Sequence, residues 1–267
     1  AGAIQAGWET PSLTQPGVVL TDLETAVREF PGLVEEHLFQ TGEPGGLKKF
    51  FSQHQAFWRS GLFCLVPRGG KLELPLKAWV EACQGSTAVF PHVLVVLEEG
   101  AEATLMDERR GGNGLLFSNE MVEIILKPDA VLRYVRLQRW GPSVSEVLMQ
   151  RAILERNAQL LNITVGFGGR LTKGRVETVL RGSGARSELL GILFGSDSQH
   201  YDFHTLQDHE APETFSDLLY KSALKDKAKV IYTGLIRISR QAQKSDAYQA
   251  NRNLLLSEGA KADSIPM

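Results

Sequence analysis

One spacing governs this chain. Six turns share a pattern, an apolar residue, three or four turn-forming residues and then alanine: Leu97-EEG-Ala101, Leu126-KPD-Ala130, Leu154-ERN-Ala158, Leu180-RGSG-Ala185, Leu224-KDK-Ala228 and Leu256-SEG-Ala260. The first four alanines are 29, 28 and 27 residues apart; the next gaps are 43 and 32, and 43 is close to one and a half periods. A related turn, Ile238-SRQ-Ala242, follows 14 residues after Ala228. A period near 28 denotes one supersecondary unit used repeatedly. Two strands of about nine residues and two tight turns fill such a unit. Stacked units give a β-solenoid, in which each rung hydrogen-bonds the next and inward side chains form a continuous core. Alanine suits the tight bend, and the glycine before it in three of the six turns admits positive φ. A β-sandwich would supply as many short strands but no fixed period.

Between the turns lie β-rich runs such as "HVLVVLE", "VEIILK" and "KVIYTGLIRIS". Within "LRYVRLQR", Leu132, Tyr134 and Arg136 alternate with Arg133, Val135 and Leu137. Neither set is purely apolar, which predicts a one-residue slip or bulge there. Residues 1–17 read as an irregular lead-in. "TDLETAVREFPGLVEEHLF" carries helical spacing over 21–40, with Thr21 and Glu24 as a capping box. Pro31 divides it into two short amphipathic helices, because a missing N–H costs nothing in a first turn. "TGEPGG" (41–46) reads as a linker and "LKKFFSQHQAFWRSG" (47–61) as a third helix. The expected organisation is an N-terminal helical region over 1–60 and a solenoid core over 61–267.

Composition narrows the function. The net charge is -2, with no basic tract, so neither nucleic acid nor an anionic membrane surface is an expected partner. No run reaches the roughly 18 apolar residues of a membrane span, and the start lacks the basic and apolar signature of a secretion signal. Two cysteines, Cys64 and Cys83, make neither a disulfide framework nor a zinc ribbon. Their apolar surroundings, "LFCLV" and "VEACQG", read as core thiols of a reducing, cytoplasmic compartment.

Three stretches invite chemistry. In "HYDFHTLQDH", His200, Asp202 and His204 share one face of a strand, and His209 is expected to return after a turn; imidazoles and a carboxylate so placed are candidate metal ligands. The alternative is a polar edge whose histidines bond to neighbouring rungs. "GFGGRLTKGR" lacks the Gly-Lys-Ser/Thr ending of a phosphate-binding loop and reads as a corner. Carboxylates recur at Asp107, Glu108, Glu120, Glu123, Glu177, Glu188, Asp197, Asp202, Asp208 and Glu210. They read either as a solvated face or as parts of an acid/base groove built across rungs, as in polysaccharide-acting β-helices.

Several long segments, in order, carry a resemblance: "GVVLTDLETAVREFPGLVEEHLF", "FWRSGLFCLVPRGGKLELPL", "SNEMVEIILKPDAVLRYVRLQRW", "HYDFHTLQDHEAPETFSDLLYKSAL" and "AQKSDAYQANRNLLLSEGAKADSIPM". From about residue 17 onward the chain resembles the SufB/SufD family, the paired scaffold subunits of SUF iron–sulfur cluster assembly, and its ending is more similar to SufD. The resemblance implies a right-handed parallel β-helix and a non-catalytic role. It also implies pairing with a SufB-like subunit through the solenoid edge, and coupling to the SufC ATPase through a C-terminal region absent here. No cofactor is expected on this chain alone; a cluster would be transient in the full complex. The expected interface lies around 243–263, with Gln243, Asn251 and Asn253 as candidate contacts. "LSEGAKADSIPM" reads as the corner and first strand of a further rung, so either the native polypeptide continues or a partner covers the edge. A homodimer through that edge is a further expectation. The rival readings are an extracellular-type polysaccharide-acting β-helix enzyme and a metal-binding protein built on His200, His204 and His209.

Overall fold

A computed structural model describes residues 4–9, 16–82, 87–112 and 114–266. The repeat is a parallel β-solenoid of two sheets. Sheet A contains β1 (Ile4–Glu9), β4 (Leu76–Ala82), β7 (Glu102–Gly111), β9 (Val131–Trp140), β11 (Gln159–Gly166), β13 (Arg186–Gly195), β15 (Phe215–Leu224) and β17 (Asp246–Leu255), in that spatial order. Sheet B runs from β2 (Val19–Asp22) through β3 (Ser60–Val66), β6 (Pro91–Leu97), β8 (Leu116–Leu126), β10 (Val144–Leu154), β12 (Leu171–Leu180), β14 (His200–His209) and β16 (Lys229–Ile238) to β18 (Lys261–Pro266). A short β5 (Ala88–Val89) pairs with β8. From β6 onward the chain alternates between the sheets, so each strand pairs with the one two places on.

The turn pattern sets the geometry. Leu97, Leu126, Leu154 and Leu180 stack in register down sheet B, all fully buried. Each leucine removed from water stabilises by roughly 1.5–3 kcal/mol. The alanines after them are equally buried. Gly100 and Gly184 take positive φ at their corners, and Asp129 and Asn157 do so at the equivalent positions; Gly259 does not. The 43-residue gap has a topological cause. Ala101, Ala130, Ala158 and Ala185 precede strands of sheet A, whereas Ala228 and Ala260 precede strands of sheet B. The pattern moves to the opposite corner half a turn later, and Ala242 marks the first corner again.

The core contains no slip at "LRYVRLQR". Leu132, Tyr134, Arg136 and Gln138 all face inward along β9 in unbroken register with β7 and β11. Arg136 is inside because it is ion-paired there. In the later rungs the interior is aromatic. Phe203 and Tyr220 lie 5.8 Å apart, and Tyr220 and Tyr232 5.1 Å. Gly174 and Gly191 make room for them: a Cβ would stand 2.4 Å from the Phe203 ring and 2.3 Å from that of Tyr220.

The three expected helices form as α1 (Leu23–Glu29), α2 (Pro31–His37) and α3 (Lys48–Phe57), with Pro31 in the first turn of α2. The cap of α1 differs from the expected box. Asp22, not Thr21, is the N-cap, and its carboxylate accepts from Thr25 N at 2.9 Å. Leu23, Ala26 and Val34 pack on Phe63, Leu94 and Val96, and Leu47 and Phe51 on Met121 and Met149, so the helices cover the outer face of sheet B. Residues 1–17 are not wholly irregular. β1 pairs antiparallel with β4, and β2 antiparallel with β3, so strands from within 1–60 extend both sheets. Cys64 is buried, which pushes its thiol up to about 12; Cys83 lies outside the described residues.

Candidate functional site

Three features stand out: the last rung, a charged belt in the interior, and the junction that holds the helices. At the last rung, β17 and β18 each lack a partner on their outer edge among the described residues. Tyr248, Leu254, Leu255, Leu256 and Ile265 are exposed around it. Asn251 and Asn253 project to the inner side and close it with hydrogen bonds. Asn251 Nδ2 donates to Tyr220 O at 3.1 Å, Asn253 Nδ2 to Asn251 Oδ1 at 2.6 Å, and Ser222 Oγ to Asn253 Oδ1 at 2.6 Å. Ser264 of β18 joins the same cluster, 3.0 Å from Asn253 Nδ2. Gln243 is elsewhere, on the corner before β17. Its side chain donates to Arg240 O at 2.5 Å, and its carbonyl accepts from Glu213 N at 2.9 Å. Unpaired backbone, apolar rim and polar centre together are the makings of an interface.

The belt was hidden from sequence reading, where Asp107 and Glu120 read as a solvated face or as parts of an acid/base groove and Glu146 was not singled out. Asp107, Arg109, Glu120, Arg136 and Glu146 are all buried between the sheets. Arg109 Nε donates to Glu120 Oε1 at 2.9 Å, and Nη2 to Asp107 Oδ2 at 2.8 Å. Arg136 Nη2 bridges Glu120 Oε2 at 2.6 Å and Glu146 Oε1 at 2.5 Å. Tyr134 donates to Asp107 at 2.5 Å and Trp140 Nε1 to Glu146 at 2.7 Å. Burial alone would raise the Glu120 carboxyl, but Arg109 and Arg136 outweigh it and hold it at about 2. Held that low, Glu120 stays ionised near neutral pH and cannot act there as a general acid. The signal was present in the alternation, since Asp107 and Arg109 share a face with Leu105, but only cross-rung register shows their partners.

The junction joins two buried histidines and a carboxylate. His54 Nδ1 lies 2.9 Å from Asn119 O, His54 Nε2 3.0 Å from His92 Nδ1, and His92 Nε2 3.0 Å from Glu123 Oε2. Glu123 also accepts from Phe39 N at 2.6 Å, Thr41 N at 3.0 Å and Thr41 Oγ1 at 2.7 Å. Asn119 O can only accept, so His54 Nδ1 carries hydrogen. Burial and the neighbouring His92 push His54 down to about 3, so its Nε2 is bare and accepts. His92 Nδ1 therefore donates to His54 Nε2, and His92 Nε2 meets the fully buried Glu123 carboxylate. The "TGEPGG" segment is correspondingly no free linker. Thr41 is held by Glu123, Glu43 O accepts from Arg151 at 2.7 Å, and Gly45 N donates to Glu177 at 2.9 Å.

The histidine candidates separate. β14 runs unbroken from His200 to His209, so no turn brings His209 back. His200 and His204 face outward, His204 3.0 Å from Asp202. His209 faces inward and bonds Thr214 Oγ1 at 2.7 Å and Ser216 Oγ at 2.9 Å. Among the described residues no three of His, Cys, Asp and Glu are grouped to hold a metal ion.

Comparison with known proteins joins these features to a family. Residues 80–267, the span that contains the belt and the last rung, match the family model described as SUF system FeS cluster assembly, SufBD core domain. The chain belongs to the SufB/SufD family. An iron–sulfur cluster assembly SufBD family protein of Staphylococcus epidermidis is 30% identical over 259 residues, 95% of this chain and 55% of the relative. The iron–sulfur cluster assembly protein SufB of Bacillus subtilis is 29% identical over the same extent. The chain thus spans about half the length of the curated relatives it matches. In the SufB/SufD chain described here, no helix among the described residues is long and apolar enough to cross a membrane.

Proposed function

We propose that this chain is the core of a SufD-like, non-catalytic scaffold subunit of a cytoplasmic SUF complex. Its work is to pair with a SufB-like subunit through the last solenoid rung. The observation that carries the reading is that rung: two strands with unpaired backbone, an apolar rim and the Asn251–Asn253–Ser264 cluster at its centre. A parallel strand added there would satisfy the free backbone groups, and an apolar partner would cover Tyr248 and Leu254. The assignment to SufD rather than SufB rests on the ending "NRNLLLSEGAKADSIPM". Coupling to SufC resides, on this reading, in chain outside these 267 residues. Cys64 is buried with a raised pKa, which makes it a poor cluster ligand; a cluster is cargo of the complex, not a cofactor of this core.

Co-purification tests the pairing. The protein co-expressed with a SufB-like subunit and a SufC-like ATPase is expected to elute with the SufB-like subunit. Asn251→Asp with Asn253→Asp, which places charge at the centre of the rung, is expected to weaken that pairing at least tenfold. Separate elution of the unaltered protein would refute the proposal.

A further inference from the structure

Among the described residues nothing covers the outer face of sheet A, whereas the helices cover that of sheet B. Down its middle runs an apolar ladder, one residue per rung: Met106, Val135, Ile163, Leu190, Leu219 and Ala250, in continuous register from β7 to β17. Ile192 beside it is 49% exposed. On each strand the residue two before this ladder and the residue two after it share the same face. On β15 these are Asp217 and Lys221; on β17 they are Tyr248 and Arg252; on β11 they are Leu161 and Val165. Lys221 and Arg252 are exposed and Asp217 half-buried, and none of the three forms an ion pair among the described residues.

That arrangement fits one occupant. Consider a second copy laid face to face, with the two-fold axis along the apolar ladder. The axis reverses strand direction and keeps each rung opposite its own equivalent. The residue before the ladder on one copy then meets the residue after it on the other. Asp217 faces the partner's Lys221, Tyr248 faces the partner's Arg252 in cation–π fashion, and Leu161 faces the partner's Val165. Two charges without an opposite on their own rung find one on the next, about 4.8 Å away: Glu188 reaches the partner's Lys221, and Arg133 the partner's Glu108. A two-fold axis along the strands would instead reverse the order of the rungs and break these same-rung pairings. We propose that the outer face of sheet A is a self-complementary surface through which two copies of this chain dimerise, leaving the free backbone edge of the last rung unpaired. Six rungs at about 4.8 Å, by about six residues at about 3.3 Å, give roughly 600 Å² a side. A standard stable interface uses about 800 Å² a side, so the dimer is reversible and concentration-dependent.

Sedimentation velocity of the 267-residue chain from low micromolar to millimolar concentration is the test. A monomer–dimer equilibrium is expected. Leu190→Glu is expected to raise the dissociation constant at least a hundredfold. Lys221→Asp sets carboxylates against carboxylates at both symmetric pairs and is expected to raise it at least tenfold. Asp217→Lys combined with Lys221→Asp restores opposite pairing across the axis and is expected to return it to within threefold of the starting value. Circular dichroism confirms folding of each variant, since these side chains lie on the outer face. A monomer throughout, a dimer indifferent to Leu190→Glu, or a double variant no better than Lys221→Asp would each overturn the proposal.

Discussion

Glu123→Gln probes how the N-terminal helices are held on the solenoid. The Glu123 carboxylate accepts from Thr41 N and Thr41 Oγ1 on one oxygen, and from Phe39 N and His92 Nε2 on the other. Glutamine has one carbonyl oxygen. If that oxygen serves Thr41, the amide NH2 points at Phe39 and His92. With its hydrogen on Nδ1, His92 accepts the amide hydrogen at Nε2; the Phe39 N–H can only donate and is left facing another donor. One buried orphan donor costs about 1–3 kcal/mol, and the exchange of charge-assisted for neutral bonds costs about 1 kcal/mol more. The sum, about 3 kcal/mol, corresponds to roughly 150-fold in the local opening equilibrium. Native-state hydrogen exchange reads it directly. The amides of Phe39, Thr41 and α3 are expected to exchange about two orders of magnitude faster, while β10 to β16 hold their protection. A change below threefold at Phe39 and Thr41 would refute the role assigned to Glu123. So would an equal loss across the solenoid.

The junction also sets an acid response. Burial and His92 push His54 down from 6.5 to about 3. The unfolded chain therefore binds more protons between those values, so the contribution is full above about pH 6.5 and is lost as pH falls below it. Urea denaturation is expected to show about 2 kcal/mol less stability at pH 5 than at pH 7; unchanged or higher stability at pH 5 would contradict this. Arg136→Met strands Glu120 and Glu146 without their shared guanidinium, and denaturant titration is expected to show a loss of about 3–5 kcal/mol. Gly191→Ala forces the Tyr220 ring aside and is expected to cost about 1–3 kcal/mol by the same titration. Gly32→Ala, in α2 with open space around it, is expected to gain up to about 1 kcal/mol.

The solenoid was legible because its corners repeat. The apolar-to-alanine turns mark where the chain crosses between sheets, and even the irregular gap of 43 residues follows from a change of corner. The helices were legible from spacing and Pro31. The belt was not. Arg136 and Glu120 belong on the inside only because each finds its partner on another strand, and a sequence shows strands one at a time. The same limit hid the His54–His92–Glu123 junction, whose members come from a helix and two strands spread over 70 residues of chain. His209 was misplaced for a smaller reason: an unbroken strand sends it to the opposite face from His204. Asn251 and Asn253 do lie in the last rung, whereas Gln243, from the same stretch, sits on the corner outside it.

Hydrogen exchange of the last rung with and without a SufB-like subunit tests the proposed pairing most directly. Strand addition requires that the backbone amides of residues 246–266 gain protection on binding, at least tenfold where the edge groups become paired, while β7 to β13 of sheet A and the helices stay unchanged. Binding that leaves 246–266 unprotected, or that protects only the helices over sheet B, would contradict it.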